Sequence, residues 1–141
     1  HSLIGKQIAK YDFRDVTFKQ SISRARTFGF EHEVTALQSM GLALGGSLDN
    51  AIVVGKDEII NKDGLRYENE FVRHKALDCV GDLFLAGARI DGVVSFSRPG
   101  HAINNSLLRA LFADDSAYII ENEGEISEIL PSSQTADVAY A

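Results

Sequence analysis

The stretch from about Glu68 to Ala86 constrains this chain most: it has no proline, no glycine before Gly81, helix-favouring residues nearly throughout, and Gly87 to end it. It predicts one long helix. At roughly 100° of rotation per residue, Val72, Ala76, Leu77, Val80, Leu83 and Phe84 share one broad face, and such a face needs an apolar partner layer. The same rotation sets His74, Asp78 and Asp82, at i, i+4 and i+8, in a row opposite that face.

The rest of the chain supplies the covering elements. Ile103, Leu107, Leu108 and Leu111 recur at helical spacing over Ala102–Phe112, after a break at Arg98-Pro99-Gly100. Ile90–Phe96 alternates as a strand does, and Ile8, Tyr11 and Phe13 are spaced like an irregular one. Val16–Ser23 carries a short helical pattern. Val34, Leu37 and Met40 predict a short helix over Glu31–Met40, with Gly41 where a C-cap belongs. Ala51–Val54 and Glu58–Ile60 read as short strands, and Asp63-Gly64 as a tight turn. The expected class is α+β: a two-layer sandwich of a sheet packed on helices.

At 141 residues the chain has the length of one folding unit. Its 45% hydrophobic and 24% charged residues, with 12 glycines and 2 prolines, exclude disordered, collagen-like and membrane-spanning classes. No secretory leader pattern opens it, and the single cysteine, Cys79, leaves no intrachain disulfide framework, which fits a reducing cytoplasm. The net charge of −6 is unevenly spread. From residue 110 onward there are seven acids and no Lys or Arg, whereas residues 1–109 hold 14 basic and 13 acidic groups. A nearly neutral body argues against nucleic-acid binding, which needs a clustered basic face. Residues 121–141, acidic and rich in small residues, are expected to form a flexible tail.

His74 and Asp78, one helical turn apart, have the spacing of a zinc half-site, since Zn²⁺ accepts imidazole nitrogen and carboxylate oxygen. A solvated row or a weak ion pair accounts for that spacing equally well. His101, behind Gly100 at a helix start, is either a proton donor or oxyanion stabiliser, or a surface residue that begins the helix. Gly45-Gly46-Ser47 is no phosphate-binding Walker loop, because no Lys-Ser or Lys-Thr pair follows at the required spacing.

Longer strings narrow these choices. They are Ser23-Arg24-Ala25-Arg26-Thr27-Phe28-Gly29-Phe30, then Gly41-Leu42-Ala43 with Gly45-Gly46-Ser47-Leu48-Asp49-Asn50-Ala51-Ile52-Val53. Next come Asp63-Gly64-Leu65-Arg66-Tyr67-Glu68-Asn69-Glu70-Phe71-Val72-Arg73-His74-Lys75-Ala76-Leu77-Asp78 with Gly81-Asp82-Leu83, and Gly100-His101-Ala102-Ile103-Asn104-Asn105. In this order they closely resemble the zinc-dependent UDP-3-O-acyl-N-acetylglucosamine deacetylases of lipid A biosynthesis. The resemblance covers residues 1–120 and only the C-terminal of that family's two α+β domains. The family's N-terminal domain, with a third zinc-ligating His and a Glu general base, has no counterpart here. Glu31-His32 does not stand in for them, since it lies in the insert.

The resemblance implies that His74 and Asp78 ligate Zn²⁺, that His101 is the electrostatic or general-acid group oriented by Asp82, and that Thr27 helps hold the oxyanion. It implies a small β-α-β insert, about residues 29–54, forming a passage for the substrate's acyl chain. Val34, Leu37, Ala43, Leu48, Ala51 and Val53 would line it, with Gly46 and Ser47 at its mouth; packing of a minor core explains the same apolar residues. Lys75 and Arg98 match positions that recognise the nucleotide diphosphate, and Phe28 matches a substrate-contacting phenylalanine. The implied activity is zinc-dependent hydrolysis of the N-acetyl group of the UDP-linked acylated glucosamine, in the cytoplasm of a Gram-negative bacterium. The isolated chain, without the N-terminal domain, is expected to be inactive. The competing expectation is a non-catalytic module that binds a sugar nucleotide and an acyl chain.

Overall fold

The computed structural model describes residues 1–14 and 18–121 and the backbone of 136–140. In chain order these form β1 (Gln7–Tyr11), α1 (Phe18–Ser21), β2 (Thr27–Phe30), α2 (Glu31–Ser39), β3 (Ala51–Val54), α3 (Glu70–Leu83), β4 (Ser95–Ser97), α4 (His101–Phe112) and β5 (Ala136–Tyr140). The class is α+β, as expected: α3 packs on α4 and against β1 and β5 of a three-stranded sheet.

In that sheet β5 is the middle strand. It runs antiparallel to β1, from Gln7↔Tyr140 to Tyr11↔Ala136, and parallel to β4, from Ser95↔Asp137 to Ser97↔Ala139. Residues 136–140, assigned from composition to a flexible tail, are therefore paired on both sides. Five residues of strand are too short for their pattern to outweigh the acidity of the segment around them. The rest of the expected tail, 122–135 and 141, lies outside the described residues, as do 16 and 17 of the helical stretch expected at Val16–Ser23.

The long helix runs from Glu70 to Leu83 and tightens into a 3₁₀ turn over Phe84–Ala86, which Gly87 ends at φ +73°. Its buried surface differs from the single predicted face. Val72, Ala76 and Cys79 meet Ala9, Tyr11, Ile22 and Phe96, whereas Phe71 turns into a second cluster with Ile4, Ile52 and Val54. A helix wedged between two small cores needs two apolar stripes rather than one. Phe84, placed on the predicted face, is 77% exposed at the first position of the 3₁₀ turn, beyond the residues of α3 that pack on the sheet.

β2, α2 and β3 form a β-α-β unit over the segment expected to be an insert at about residues 29–54. β2 and β3 pair in parallel from Thr27↔Ala51 to Phe30↔Val54, a pairing that requires a crossover, and α2 lies within it. The α2 C-terminus follows the glycine signal: Gly41 at φ +75° donates to the Gln38 carbonyl, and the Leu42 N–H donates back to Leu37 O at 2.9 Å. Of the strand expected over Ile90–Phe96, only Ser95–Ser97 forms with Phe96 buried, because β5 pairs with these three residues alone. Ile90 and Val93 stay 37% and 54% exposed.

Candidate metal and proton-transfer site

Glu70, fully buried at the start of α3, organises the ground beneath the site. Its carboxylate accepts from the Arg26 backbone N–H at 2.9 Å, from Arg26 Nε at 3.0 Å, from Arg26 Nη2 at 3.1 Å and from the Arg66 backbone N–H. Burial raises the Glu70 pKa, yet the hydrogen bonds from Arg26 and Arg66 prevail and hold it below the usual glutamate value. The pair anchors the chain entering β2 to the first turn of α3, and so fixes the carbonyl of Ala25 over the next helical turn.

That carbonyl lies 3.3 Å from His74 Nδ1. With the proton on Nδ1 the neutral ring donates to this carbonyl and Nε2 is basic, whereas with the proton on Nε2 it donates to Asp78. Nε2 sits 3.2 Å from Asp78 Oδ1, and the two side chains are 13% and 12% exposed. This is not a freely solvated row. Lys75 Nζ holds the other carboxylate oxygen, Oδ2, at 3.1 Å and stands 5.5 Å over the Phe28 ring, whose centroid is 6.2 Å from that of His74. His74, Lys75, Asp78 and Phe28 are thus brought together, with Thr27 exposed at the start of the same strand.

A basic nitrogen and a carboxylate oxygen facing each other at 3.2 Å require a proton or a cation between them. The donor set and the carbonyl on the outer ring nitrogen suit zinc. They make half a site: among the described residues no group of three His, Cys, Asp or Glu could hold a metal.

One turn further along α3, Asp82 receives His101 Nδ1 at 2.9 and 3.0 Å from its two oxygens, and Asn104 Nδ2 donates to its Oδ2 at 2.7 Å. His101 is the first residue of α4, behind the extended Gly100, and its side chain is 74% exposed. Asn104 is fully buried and meets Cys79 Sγ. Arg98 adopts φ +50°, outside the ordinary range for a residue with a side chain, in the turn before α4.

The insert residues divide into two groups. Ile52, Val54, Phe28 and Phe30 belong to the core cluster around Phe71. Strand alternation therefore turns Ala51 and Val53 to the opposite face, where Gly29 leaves room for Val34: an added Cβ would come 3.2 Å from Val34 Cγ2. Val34, Leu37, Ala51 and Val53 are half-buried there. Ala43, Gly46, Ser47 and Leu48 are exposed in the loop between α2 and β3. A cavity of about 520 Å³ lies elsewhere, between the C-terminal half of α3 and Tyr11, Phe13, Val94 and Phe96.

Sequence reasoning passed over Glu70, Arg26, Asn104 and Asn61. Asn61 accepts from the Val53 N–H at 2.9 Å and donates to the Leu48 and Ala51 carbonyls at 2.8 Å, tying down the far end of the insert. The available signal for Asn104 was a lone amide between Ile103, Leu107 and Leu108 on a helix face.

The described residues thus form an α+β domain that carries a paired His-x-x-x-Asp on α3 and, one turn on, a carboxylate-held histidine. Residues 1–113 match the family model described as UDP-3-O-acyl N-acetylglycosamine deacetylase, and the chain belongs to that family. It is 53% identical over 120 residues to the UDP-3-O-acyl-N-acetylglucosamine deacetylase of Pasteurella multocida, a match covering 84% of this chain and 39% of that protein. The enzyme of the same name from Acidithiobacillus ferrooxidans is 54% identical over 114 residues, covering 81% of this chain and 38% of the relative. That of Histophilus somni is 52% identical over 120 residues, with 84% and 39% covered. The chain therefore spans about two-fifths of the length of these relatives.

Proposed function

We propose that this chain supplies one half of the active site of a zinc-dependent deacetylase acting on UDP-3-O-(3-hydroxyacyl)-N-acetylglucosamine in lipid A biosynthesis. The observation that carries the reading is the His74–Asp78 pair, with Nδ1 facing the Ala25 carbonyl and Nε2 turned to the carboxylate. His74 and Asp78 would hold Zn²⁺, which when bound supplies Lewis-acid polarisation of the acetyl carbonyl and acidifies water.

The chain's own groups complete part of the chemistry. Asp82 holds Nδ1 of His101, so the Nε2 edge of that exposed ring is left to carry a proton to the departing glucosamine nitrogen as the amide C–N bond breaks. The same imidazolium and the Thr27 hydroxyl stabilise the oxyanion. Lys75 and Arg98 meet the nucleotide diphosphate, Phe28 packs on the substrate, and the insert receives the acyl chain along Val34, Leu37, Ala43, Leu48, Ala51 and Val53, past Gly46 and Ser47. Two metal donors are one short of the usual catalytic zinc complement, and the resemblance implies that a Glu base and a third ligand come from an N-terminal domain. The isolated chain is therefore inactive, and the N-terminal domain is its partner. The place of action is the cytoplasm of a Gram-negative bacterium, whose reducing environment suits the free thiol of Cys79.

The test mixes this chain with the N-terminal portion of the Pasteurella multocida relative, adds zinc, and measures acetate released from the acylated UDP-sugar. The mixture is expected to release acetate where neither part alone does. No release from a mixture that forms a complex would overturn the reading. Tight binding of the UDP-sugar by the chain alone, without turnover, would leave the binding-module alternative.

A further inference from the structure

The role of Asp82 depends on where its carboxylate points, and on α3 it is a short side chain that is free to rotate unless something fixes it. The fixing group comes from α4. Asn104, three residues after His101 and therefore on the same side of the helix, is fully buried and drives Nδ2 to 2.7 Å from Asp82 Oδ2. Its amide is oriented in turn by Cys79 on α3, whose Sγ lies 3.6 Å from Nδ2 and 3.9 Å from Oδ1. A buried amide held at both ends is a better-fixed donor than the histidine it serves, whose side chain is 74% exposed.

We propose that Asn104 is the positioning residue for His101: it locks the Asp82 carboxylate so that the carboxylate accepts from Nδ1 and keeps Nε2 turned outward. This rests on the reading of His101 as proton carrier. The physical consequence is a choice of tautomer. Free neutral imidazole exchanges its proton between the two nitrogens, whereas a fixed carboxylate beside Nδ1 holds the proton there and leaves Nε2 as the acceptor edge. Without Asn104, Asp82 is free to swing toward solvent, and His101 returns to the mixture of tautomers and rotamers of an exposed ring.

The experiment uses the full 141-residue chain with ¹⁵N-labelled histidine. Ring nitrogen shifts, read where the imidazole is neutral, report the His101 tautomer. The unaltered chain is expected to hold the Nδ1–H form, and Asn104→Leu, nearly the same shape without the donor, to shift to a mixture with the Nε2–H form prominent. In the mixture with the N-terminal portion, Asn104→Leu should lower kcat by roughly tenfold with KM within about twofold, the signature of a lost transition-state group. A purely structural role would not move the tautomer, so an unchanged tautomer in Asn104→Leu overturns the inference whatever the activity does. If Asn104→Leu fails to fold, the unaltered chain decides. One Asn104 Nδ2 proton should exchange slowly with solvent and lose that protection in Asp82→Ala; free exchange in the unaltered chain overturns the inference. Full turnover in His101→Ala would instead remove the proposed proton carrier while the tautomer result still stood, so the two failures are distinguishable.

Discussion

Glu70→Gln is the perturbation that reaches furthest into this structure. The carboxylate is fully buried and accepts four N–H groups, three of them from Arg26, which is itself 7% exposed. Glutamine preserves the volume and one acceptor oxygen, but it turns an NH₂ group toward donors that had been satisfied and leaves the Arg26 guanidinium without its counter-charge. Breaking a buried pair from one side costs about 3–5 kcal/mol. With a urea m-value of about 2 kcal/mol/M for a domain of this size, the midpoint should fall by roughly 1.5–2.5 M, and Tm by roughly 10–17 °C. Replacing both partners, as Arg26→Met with Glu70→Leu, should recover most of that loss, since no charge is then stranded. Acid sensitivity gives a second reading. The folded Glu70 pKa lies below its ordinary 4.5, so the unfolded chain takes up that proton first as pH falls. The contribution is complete above the ordinary value and drains away as pH drops through the lowered folded one. Glu70→Gln should lack that part of the acid slope. A urea midpoint within about 0.5 M of the unaltered chain would refute the claim that this pair anchors β2 to α3.

Three smaller predictions rest on other contacts. Cys79 is 2% exposed and burial pushes its thiol up to about 12, so native-state alkylation by iodoacetamide at pH 8 should run at least a thousandfold slower, roughly, than for an unfolded thiol; comparable rates would show the α3–α4 seam to be open. Gly55→Ala brings a Cβ to 2.9 Å from Ile60 Cδ1 and 3.0 Å from Glu58 O, which should cost about 1–3 kcal/mol in urea unfolding. Phe71→Ala empties the centre of the second core cluster, where the ring is fully buried, and should cost about 3–5 kcal/mol by the same measurement.

What could be read in advance was what local spacing dictates. The i, i+4, i+8 row of His74, Asp78 and Asp82 follows from helix geometry alone, and the C-terminal stop of α2 follows from Gly41. The expectation of a β-α-β insert came from the resemblance of long strings, and its parallel register from the pairing of β2 with β3. Long-range partnerships were not legible. Arg26 and Glu70 are 44 positions apart, and each reads singly as an ordinary solvated charge. Asn104 and Asp82 belong to different helices, and only the packing of α3 on α4 makes them neighbours. The predicted face of α3 erred in one direction because a single-stripe helix was assumed, whereas Phe71 and Cys79 serve two separate clusters. At Ile90–Phe96 the alternation was real, yet a strand exists only where a partner pairs with it, and β5 pairs with residues 95–97.

The central claim is that His74 and Asp78 are metal donors on a half-site that the N-terminal domain completes. Zinc content, measured after exhaustive dialysis of the mixed complex, tests it most directly. The account predicts stoichiometric zinc in the unaltered complex and in His101→Ala, only weak binding by this chain alone, and loss of zinc in His74→Ala and in Asp78→Ala without loss of the complex. Retention of zinc at full stoichiometry by His74→Ala would contradict it.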